Sequence, residues 1–313
     1  MVKLYIVVPC FNEKEVLFET SKQLNKKLKS LITNCTISAD SRVVFVDDGS
    51  TDNTWEIIEQ LHTENELFSG VKLSRNRGHQ NALLAGLEFS KGQCDAVISM
   101  DADLQDSIDV VDKFVEEYKA GNEVVYGVRS SRKKDTFFKK FTAEAFYKFM
   151  KFMGAEIVFN HADYRLLGSK ALDALFEFTE VNLFLRGLVP LVGFNSSKVY
   201  YERNERFAGK SKYPLKKMLS FAFDGISSLS IKPIKMITNL GITIFLISFI
   251  ILVYSFIVKI TGGTVKGWTS IIASVWALGG LQMIAIGIIG EYIGKVFLET
   301  KHRPRYIIEK TLK

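Results

Sequence analysis

The chain has 313 residues, room for a catalytic domain and something more, and a formal net charge of +7 with a pI of about 9.1. That weak, dispersed basicity, without a zinc-finger or helix-turn-helix signature, argues against nucleic acid and suits an anionic substrate or an anionic membrane surface. Three cysteines without CxxC spacing and four scattered histidines without HExxH argue against a disulfide framework and a zinc site, and point to a reducing, cytosolic compartment.

Met1 to Val8 is too short for a leader and ends at Pro9, so it reads as the start of a strand. The apolar and amphipathic patterns predict strands over 4–8, 43–46, 71–73, 96–100 and 124–128. Helices are predicted over 13–31, 52–61, 80–89 and 108–118. This alternation implies βαβ units and a mostly parallel sheet with helices on both faces. In such sheets ligands bind beyond the carboxyl ends of the strands. There the sequence places Pro9-Cys10-Phe11-Asn12-Glu13, Asp47-Asp48-Gly49-Ser50, Ser74-Arg75-Asn76-Arg77-Gly78, Asp101-Ala102-Asp103-Leu104-Gln105-Asp106 and Gly127-Val128-Arg129. Any one of these could be a solvated turn or a helix cap. Five at one edge of one sheet argue for a site. No GxGxxG or GxxxxGK[ST] occurs, so neither a nicotinamide dinucleotide fold nor a Walker loop is supported.

The sharpest of these stretches is Ser99-Met100-Asp101-Ala102-Asp103-Leu104-Gln105-Asp106, which follows a buried apolar run. Clustered carboxylates repel and are costly to desolvate. A divalent cation removes that cost. Asp101 and Asp103, with Gln105, offer hard oxygen ligands of the kind that suits Mg²⁺ or Mn²⁺ bound together with substrate phosphates.

The composition changes after Pro233. Residues 236–258 and 267–290 carry no charge, and each run is long enough to cross a bilayer core. Only Lys259 to Lys266 separates them, so the expectation is a helical hairpin with both ends on one side. Lys210, Lys212, Lys216 and Lys217 before it, and Lys295, Lys301, Arg303, Arg305 and Lys310 after it, put that side in the cytoplasm. Between the two regions, Leu215, Met218, Leu219, Ala222, Ile226 and Leu229 fall on one helical face with Lys216 and Lys217 off it. This predicts an interfacial amphipathic helix, the alternative being a helix packed on the soluble domain. The expected organisation is a cytoplasmic domain over 1–213, the interfacial helix over 214–233, two transmembrane helices within 234–294 and a basic cytoplasmic tail over 295–313.

The segments VVPCFNEKE, VDDGSTDNT, SRNRGHQNALLAG, MDADLQD, ADYRLL and ERFAGKSKY occur in that order. Together with the C-terminal GIIGEYIGKVFLETKHRPRYII, they resemble family 2 glycosyltransferases of GT-A fold that act on polyprenyl phosphates. That group includes dolichyl-phosphate mannose synthase and the bactoprenol glucosyl transferases, and the likeness runs over essentially the whole chain. It implies that Pro9, Phe11 and Glu13 line the base and ribose pocket, with Val46 and Asp48 holding the base and its ribose. It implies that Asp101 and Asp103 hold metal and diphosphate with Gln105 as a further ligand, and that Ala102 passes its backbone beside the nucleotide. Arg129 is implied near a phosphate. Arg206 and Lys212 are implied to close over phosphates from a loop, although a plain juxtamembrane basic patch would look the same. Asp163 is implied as a candidate base. A phosphate monoester, with its second pKa near 6, is already largely ionised, so Asp163 could instead orient the acceptor or Arg165.

The expected function is an inverting transfer of one hexose from a nucleotide sugar, UDP-glucose or UDP-N-acetylglucosamine foremost, to undecaprenyl phosphate. GDP-mannose as donor stays open. A processive polysaccharide synthase fits less well, because no QxxRW follows the acidic cluster: the nearest segment is Asn182-Leu183-Phe184-Leu185-Arg186-Gly187. A silent membrane scaffold fits less well again, because Asp101, Asp103 and Arg206 are all present. The resemblance also allows a homo-oligomer.

Overall fold

A computed structural model of the chain describes residues 1–129, 161–181, 184–202, 226, 230, 232–260 and 267–313. Its strands are β1 (Leu4–Cys10), β2 (Arg42–Asp47), β3 (Phe68–Leu73), β4 (Ala96–Ser99), β5 (Val124–Arg129), β6 (His161–Gly168), β7 (Ser196–Tyr201) and β8 (Ile308–Leu312). Helices α1 (Leu17–Thr33), α2 (Thr54–Glu64), α3 (His79–Ser90) and α4 (Val111–Lys119) connect the first five strands. Helices α5 (Ser169–Leu175) and α6 (Leu185–Leu191) lie between β6 and β7.

The strands form one sheet in the order β7-β5-β6-β4-β1-β2-β3-β8. The pairs β1–β2, β1–β4, β2–β3 and β5–β7 are parallel, whereas β6 runs antiparallel to both β4 and β5, and β8 antiparallel to β3. The β1 to β4 core is thus the expected parallel α/β sheet, and β6 is a reversed strand let into it. Alternation along the central strands divides the core into two layers. Leu4, Ile6, Val8, Val43 and Phe45 meet Leu24 and Leu28 of α1, Ile58 of α2 and Phe114 of α4 on one face. On the other, Tyr5, Val7, Val44 and Val46 meet Leu84 of α3, Leu172 of α5 and Leu188 of α6. With apolar residues facing both layers, β1 and β2 are buried along nearly their whole length, as the continuous runs LYIVVPC and RVVFVD require.

Within the segment 295–313, expected to be a basic cytoplasmic tail, the last residues form a strand. Ile308–Leu312 pairs with β3 in the register Gly70↔Leu312, Val71↔Thr311 and Lys72↔Lys310. The Ser74 N–H donates to the Ile307 carbonyl at 3.0 Å. Nearby, Arg305 Nη2 donates to the Phe178 carbonyl at 2.7 Å, and the Tyr306 hydroxyl donates to Glu88. The exposed edge of β3 is what this segment satisfies.

Helices α7 (Lys232–Ile260) and α8 (Trp268–Thr300) belong to a second compact unit. Both charge-free runs are therefore helical, and α8 continues past Gly290 through Glu291, Lys295 and Glu299. The Tyr292 hydroxyl of α8 donates to the Ser230 carbonyl just before α7. Among the described residues one stretch, Leu278–Thr300, is long and apolar enough to cross a membrane, which is one such span where two were expected. The predicted interfacial helix over 214–233 lies almost wholly outside the described residues, as do Arg206 and Lys212.

Candidate active site

The ends of β1 and β2 are stitched together first. Pro9 and Val46 are buried register partners. Beyond them Asn12 adopts a left-handed conformation, φ 54°. This lets its Oδ1 accept from the Thr51 N–H at 2.9 Å, while its own N–H donates to Ser50 Oγ at 3.0 Å. The Glu13 N–H donates to Thr54 Oγ1 at 3.0 Å. Phe11, next to them, is 39% exposed, a large ring left open at the sheet edge.

Asp48 has a definite task within the fold. Its two oxygens accept from the N–H groups of Arg77 at 2.7 Å and Gly78 at 2.9 Å. Gly78, with φ 87°, supplies the turn that aims these amides at the carboxylate and starts α3. Burial pushes the Asp48 carboxyl above its usual range, and the two amides partly offset it. Asp48 thereby ties the Ser74-to-Gly78 turn after β3 to the end of β2.

The end of β4 carries the acidic group. Thr20 Oγ1 of α1 reaches the Ala102 carbonyl at 2.8 Å and holds this buried turn from below. Leu104 is left-handed at φ 57°, an uncommon state for a branched side chain that reverses the chain between Asp103 and Gln105. Asp103 Oδ1 accepts from the Gln105 N–H at 3.2 Å. Burial raises the Asp101 carboxyl above its ordinary range; His79 works against this, and Asp106, Asp163 and Asp103 add to it. Among the described residues no three His, Cys, Asp or Glu side chains converge on one metal position. The oxygen donors Asp101 and Asp103 fit the other arrangement, in which one or two carboxylates share a hard cation with substrate phosphates.

Asp106 turns inward. It is buried, accepts from the Tyr201 hydroxyl of β7 at 2.5 Å and lies 3.4 Å from Arg129 Nη2. It holds the guanidinium of Arg129 at the end of β5.

Asp163 lies in β6 and is gripped by two guanidiniums. Its Oδ1 accepts from Arg165 Nη2 at 2.7 Å and from Arg186 Nε at 3.1 Å, and its Oδ2 from Arg186 Nη2 at 2.9 Å. Burial pushes this carboxyl up, but Arg186 and Arg165 outweigh it and hold the group well below the usual carboxylate range. His79, the first residue of α3, stands between the two acidic positions, its Nε2 3.6 Å from Asp101 Oδ1 and 3.9 Å from Asp163 Oδ2. The structure therefore brings Asp101 and Asp163 to one locus, with Arg129 at the end of β5, the neighbour of β6, and Asp48 after β2, which β1 separates from β4. Sequence reasoning gave no role to His79, Gln80, Arg186, Asp106 or Tyr201. The signal for the first two was the His-Gln pair opening α3 at the functional edge.

With this geometry in hand, comparison with known proteins defines the class. Residues 5–176 match glycosyl transferase family 2, and the chain belongs to that family. It is 54% identical over 306 residues to an uncharacterized glycosyltransferase, YkoT, of Bacillus subtilis, covering 98% of this chain and 91% of the relative. It is 38% identical over 312 residues to the bactoprenol glucosyl transferase of Shigella phage SfX, covering 98% and 99%. It is 37% identical over 316 residues to a prophage bactoprenol glucosyl transferase homolog of Escherichia coli, covering 99% and 100%. The protein is a glycosyltransferase.

Proposed function

We propose that the enzyme transfers one hexose from a nucleotide sugar, UDP-glucose in the first instance, to undecaprenyl phosphate at the cytoplasmic face of a membrane, inverting the anomeric centre. The observation that carries this reading is end-to-end similarity to bactoprenol glucosyl transferases, 38% over 98% of this chain. The GDP-mannose and polymer-synthase readings are the alternatives that the assay below separates.

In the proposed reaction an oxygen of the acceptor phosphate forms a bond to the anomeric carbon as the bond to the nucleoside diphosphate breaks. The acceptor is mostly dianionic near neutral pH and needs no strong base. This agrees with an Asp163 whose pairing with two arginines makes it a poor proton acceptor. Asp101 and Asp103, with Gln105, would hold Mg²⁺ or Mn²⁺, which supplies positive charge to the departing diphosphate. Pro9, Phe11, Glu13, Val46, Asp48 and the Ala102 backbone would bound the nucleotide. Arg129, fixed by Asp106, would face a phosphate, and Arg206 and Lys212 would add charge from their loop. Positioning and charge then do most of the catalytic work.

The membrane part of the proposal rests on α7 and α8 as a hairpin. Leu240, Ile250 and Tyr254 of α7 and Met283, Ile284 and Ile293 of α8 are all exposed, and a bilayer would cover such apolar side chains. The test is a transfer assay in detergent with undecaprenyl phosphate, a divalent cation and a panel of labelled UDP- and GDP-sugars. One donor should deliver label to the organic phase in a metal- and acceptor-dependent way. Label in no lipid product, from protein that still binds nucleotide, would refute the acceptor assignment.

A further inference from the structure

We propose that the buried hydroxyls of Thr20, Tyr164 and Tyr201 are positioning groups that pre-set the acidic turn for its divalent cation; this rests on the metal reading above. The turn from Asp101 to Asp106 is two-sided. Asp101, Asp103 and Gln105 are partly open to water, whereas Ala102, Leu104 and Asp106, which alternate with them, are buried. The three oxygen donors thus fall on the open side, and the other side is fastened to the fold. Thr20 Oγ1 donates to the Ala102 carbonyl at 2.8 Å, closer than its 3.0 Å to the Val16 carbonyl one turn back. The Leu104 side chain enters the apolar layer that holds Phe114 and Tyr164. The Tyr201 hydroxyl donates to Asp106 Oδ1 at 2.5 Å, and the Tyr164 hydroxyl donates to the Ser107 carbonyl at 3.0 Å.

These fastenings come from α1, β6 and β7, elements far apart in the sequence, and the hydroxyls that make them are themselves fixed. Thr20 is fully buried. The rings of Tyr164 and Tyr201 meet edge to face at 5.5 Å, and Phe114 packs on Tyr164 at 4.8 Å. The turn requires such support. Leu104 holds a left-handed backbone, a strained state that persists only where its surroundings over-determine it. A loose turn would also have to be ordered each time the cation bound, at a cost in affinity that a turn already ordered does not carry. Each hydroxyl acts through an inner group of the turn, the Ala102 and Ser107 carbonyls or the Asp106 carboxylate, and not as a ligand.

The experiment measures Mn²⁺ binding to the full-length protein in detergent with UDP present, from the paramagnetic resonance signal of the free ion. It compares the wild type with Thr20→Val, Thr20→Ser, Tyr164→Phe, Tyr201→Phe and the core truncation Ile58→Val, and melting temperatures are taken alongside. Thr20→Val keeps the shape of the side chain and removes the hydroxyl. It and Tyr201→Phe should each weaken Mn²⁺ binding by about tenfold, with Tyr164→Phe moving in the same direction. Thr20→Ser, which keeps the hydroxyl, should bind within about twofold of wild type. Ile58→Val should lower the melting temperature and leave Mn²⁺ binding unchanged. Wild-type affinity in Thr20→Val or Tyr201→Phe, a Thr20→Ser protein as weak as Thr20→Val, or an equal loss in Ile58→Val would each overturn the proposal. If Thr20→Val does not fold, the two tyrosine variants decide by the same criteria. If the wild type itself binds no Mn²⁺ with UDP, the metal assignment of Asp101 and Asp103 fails, and this inference falls with it.

Discussion

Gly49 packs so closely on the main chain of Arg75 that a Cβ would lie 2.5 Å from the Arg75 carbonyl carbon, and Gly49 itself has φ 66°. Both facts exclude an ordinary side chain, and both lie beside the contact through which Asp48 holds the turn after β3. Gly49→Ala should add about 1–2 kcal/mol of conformational strain and displace the Arg75 backbone as well. The expected result is a melting temperature lowered by several degrees together with weaker nucleotide binding. A variant that melts and binds like wild type would show that the two loops are not tightly coupled.

Asp48→Ala tests the same joint from its other side. It leaves the Arg77 and Gly78 amides without their acceptor in a part-buried turn. Loss of the two bonds should cost about 2–5 kcal/mol. Asp48→Asn, which keeps one acceptor oxygen but turns an amide donor toward an N–H, should recover only part of it. Chemical denaturation of the three proteins gives the ranking, and equal stability of wild type and Asp48→Ala would sink the account.

Much of this joint was readable in the sequence, because strand ends and turn residues are local signals. The strands over 4–8, 43–46, 71–73, 96–100 and 124–128 fall within or against β1 to β5, and DDGS and DADLQD sit at the expected edge. What was not readable depends on pairing across long separations. The sequence IEKTL is short and charged and becomes a strand only because β3, more than two hundred residues away, offers an open edge. Arg186 drew attention only for lacking the QxxRW context. Its meaning comes from Asp163 in β6 and from the grip of Gln80 on Leu185, neither of which leaves a periodic trace.

Asp163 should keep its charge throughout the range in which the enzyme can be assayed. Its ionisation is depressed, so the charge is complete above the ordinary carboxylate value and is lost only as pH falls through the lowered one. Asp163→Asn should therefore reduce transfer by a similar factor at every pH from about 5 to 8. A profile whose acidic limb disappears in the variant would instead give Asp163 a proton-transfer role.

Asp103→Ala and metal removal should converge. With one of two carboxylate ligands gone, the proposed cation site loses half its protein charge, and transfer should fall by at least about a hundredfold. The fold should survive, since Asp103 lies in the turn beyond β4 and outside the apolar core. Chelator should silence the wild type, and added Mg²⁺ or Mn²⁺ should restore it but not the variant. Full activity in chelator would remove the metal assignment for Asp101, Asp103 and Gln105 together.

The C-terminal strand makes residues 303–313 part of the catalytic unit. Deleting them would strip the outer edge of β3 of its backbone partners from Gly70 to Leu73 and remove Leu312, whose side chain packs over Gly70 beside Ile58 and Trp55. The loss should be about 2–4 kcal/mol, from exposed apolar surface and an unpaired edge. It should appear as a lower melting temperature and a tendency to aggregate through β3. The ion pairs on this strand matter far less. Lys310 meets Glu59 at 2.6 Å and Lys72 meets Glu309 at 3.0 Å, but all four side chains are at least partly open to water. Lys310→Ala should shift stability by no more than about 1 kcal/mol. A deletion as mild as Lys310→Ala would mean that β8 decorates the sheet without supporting it. A severe deletion beside a silent point substitution would mean that the backbone ladder and Leu312 hold this end of the molecule to the strand that leads into the Arg75-to-Gly78 turn.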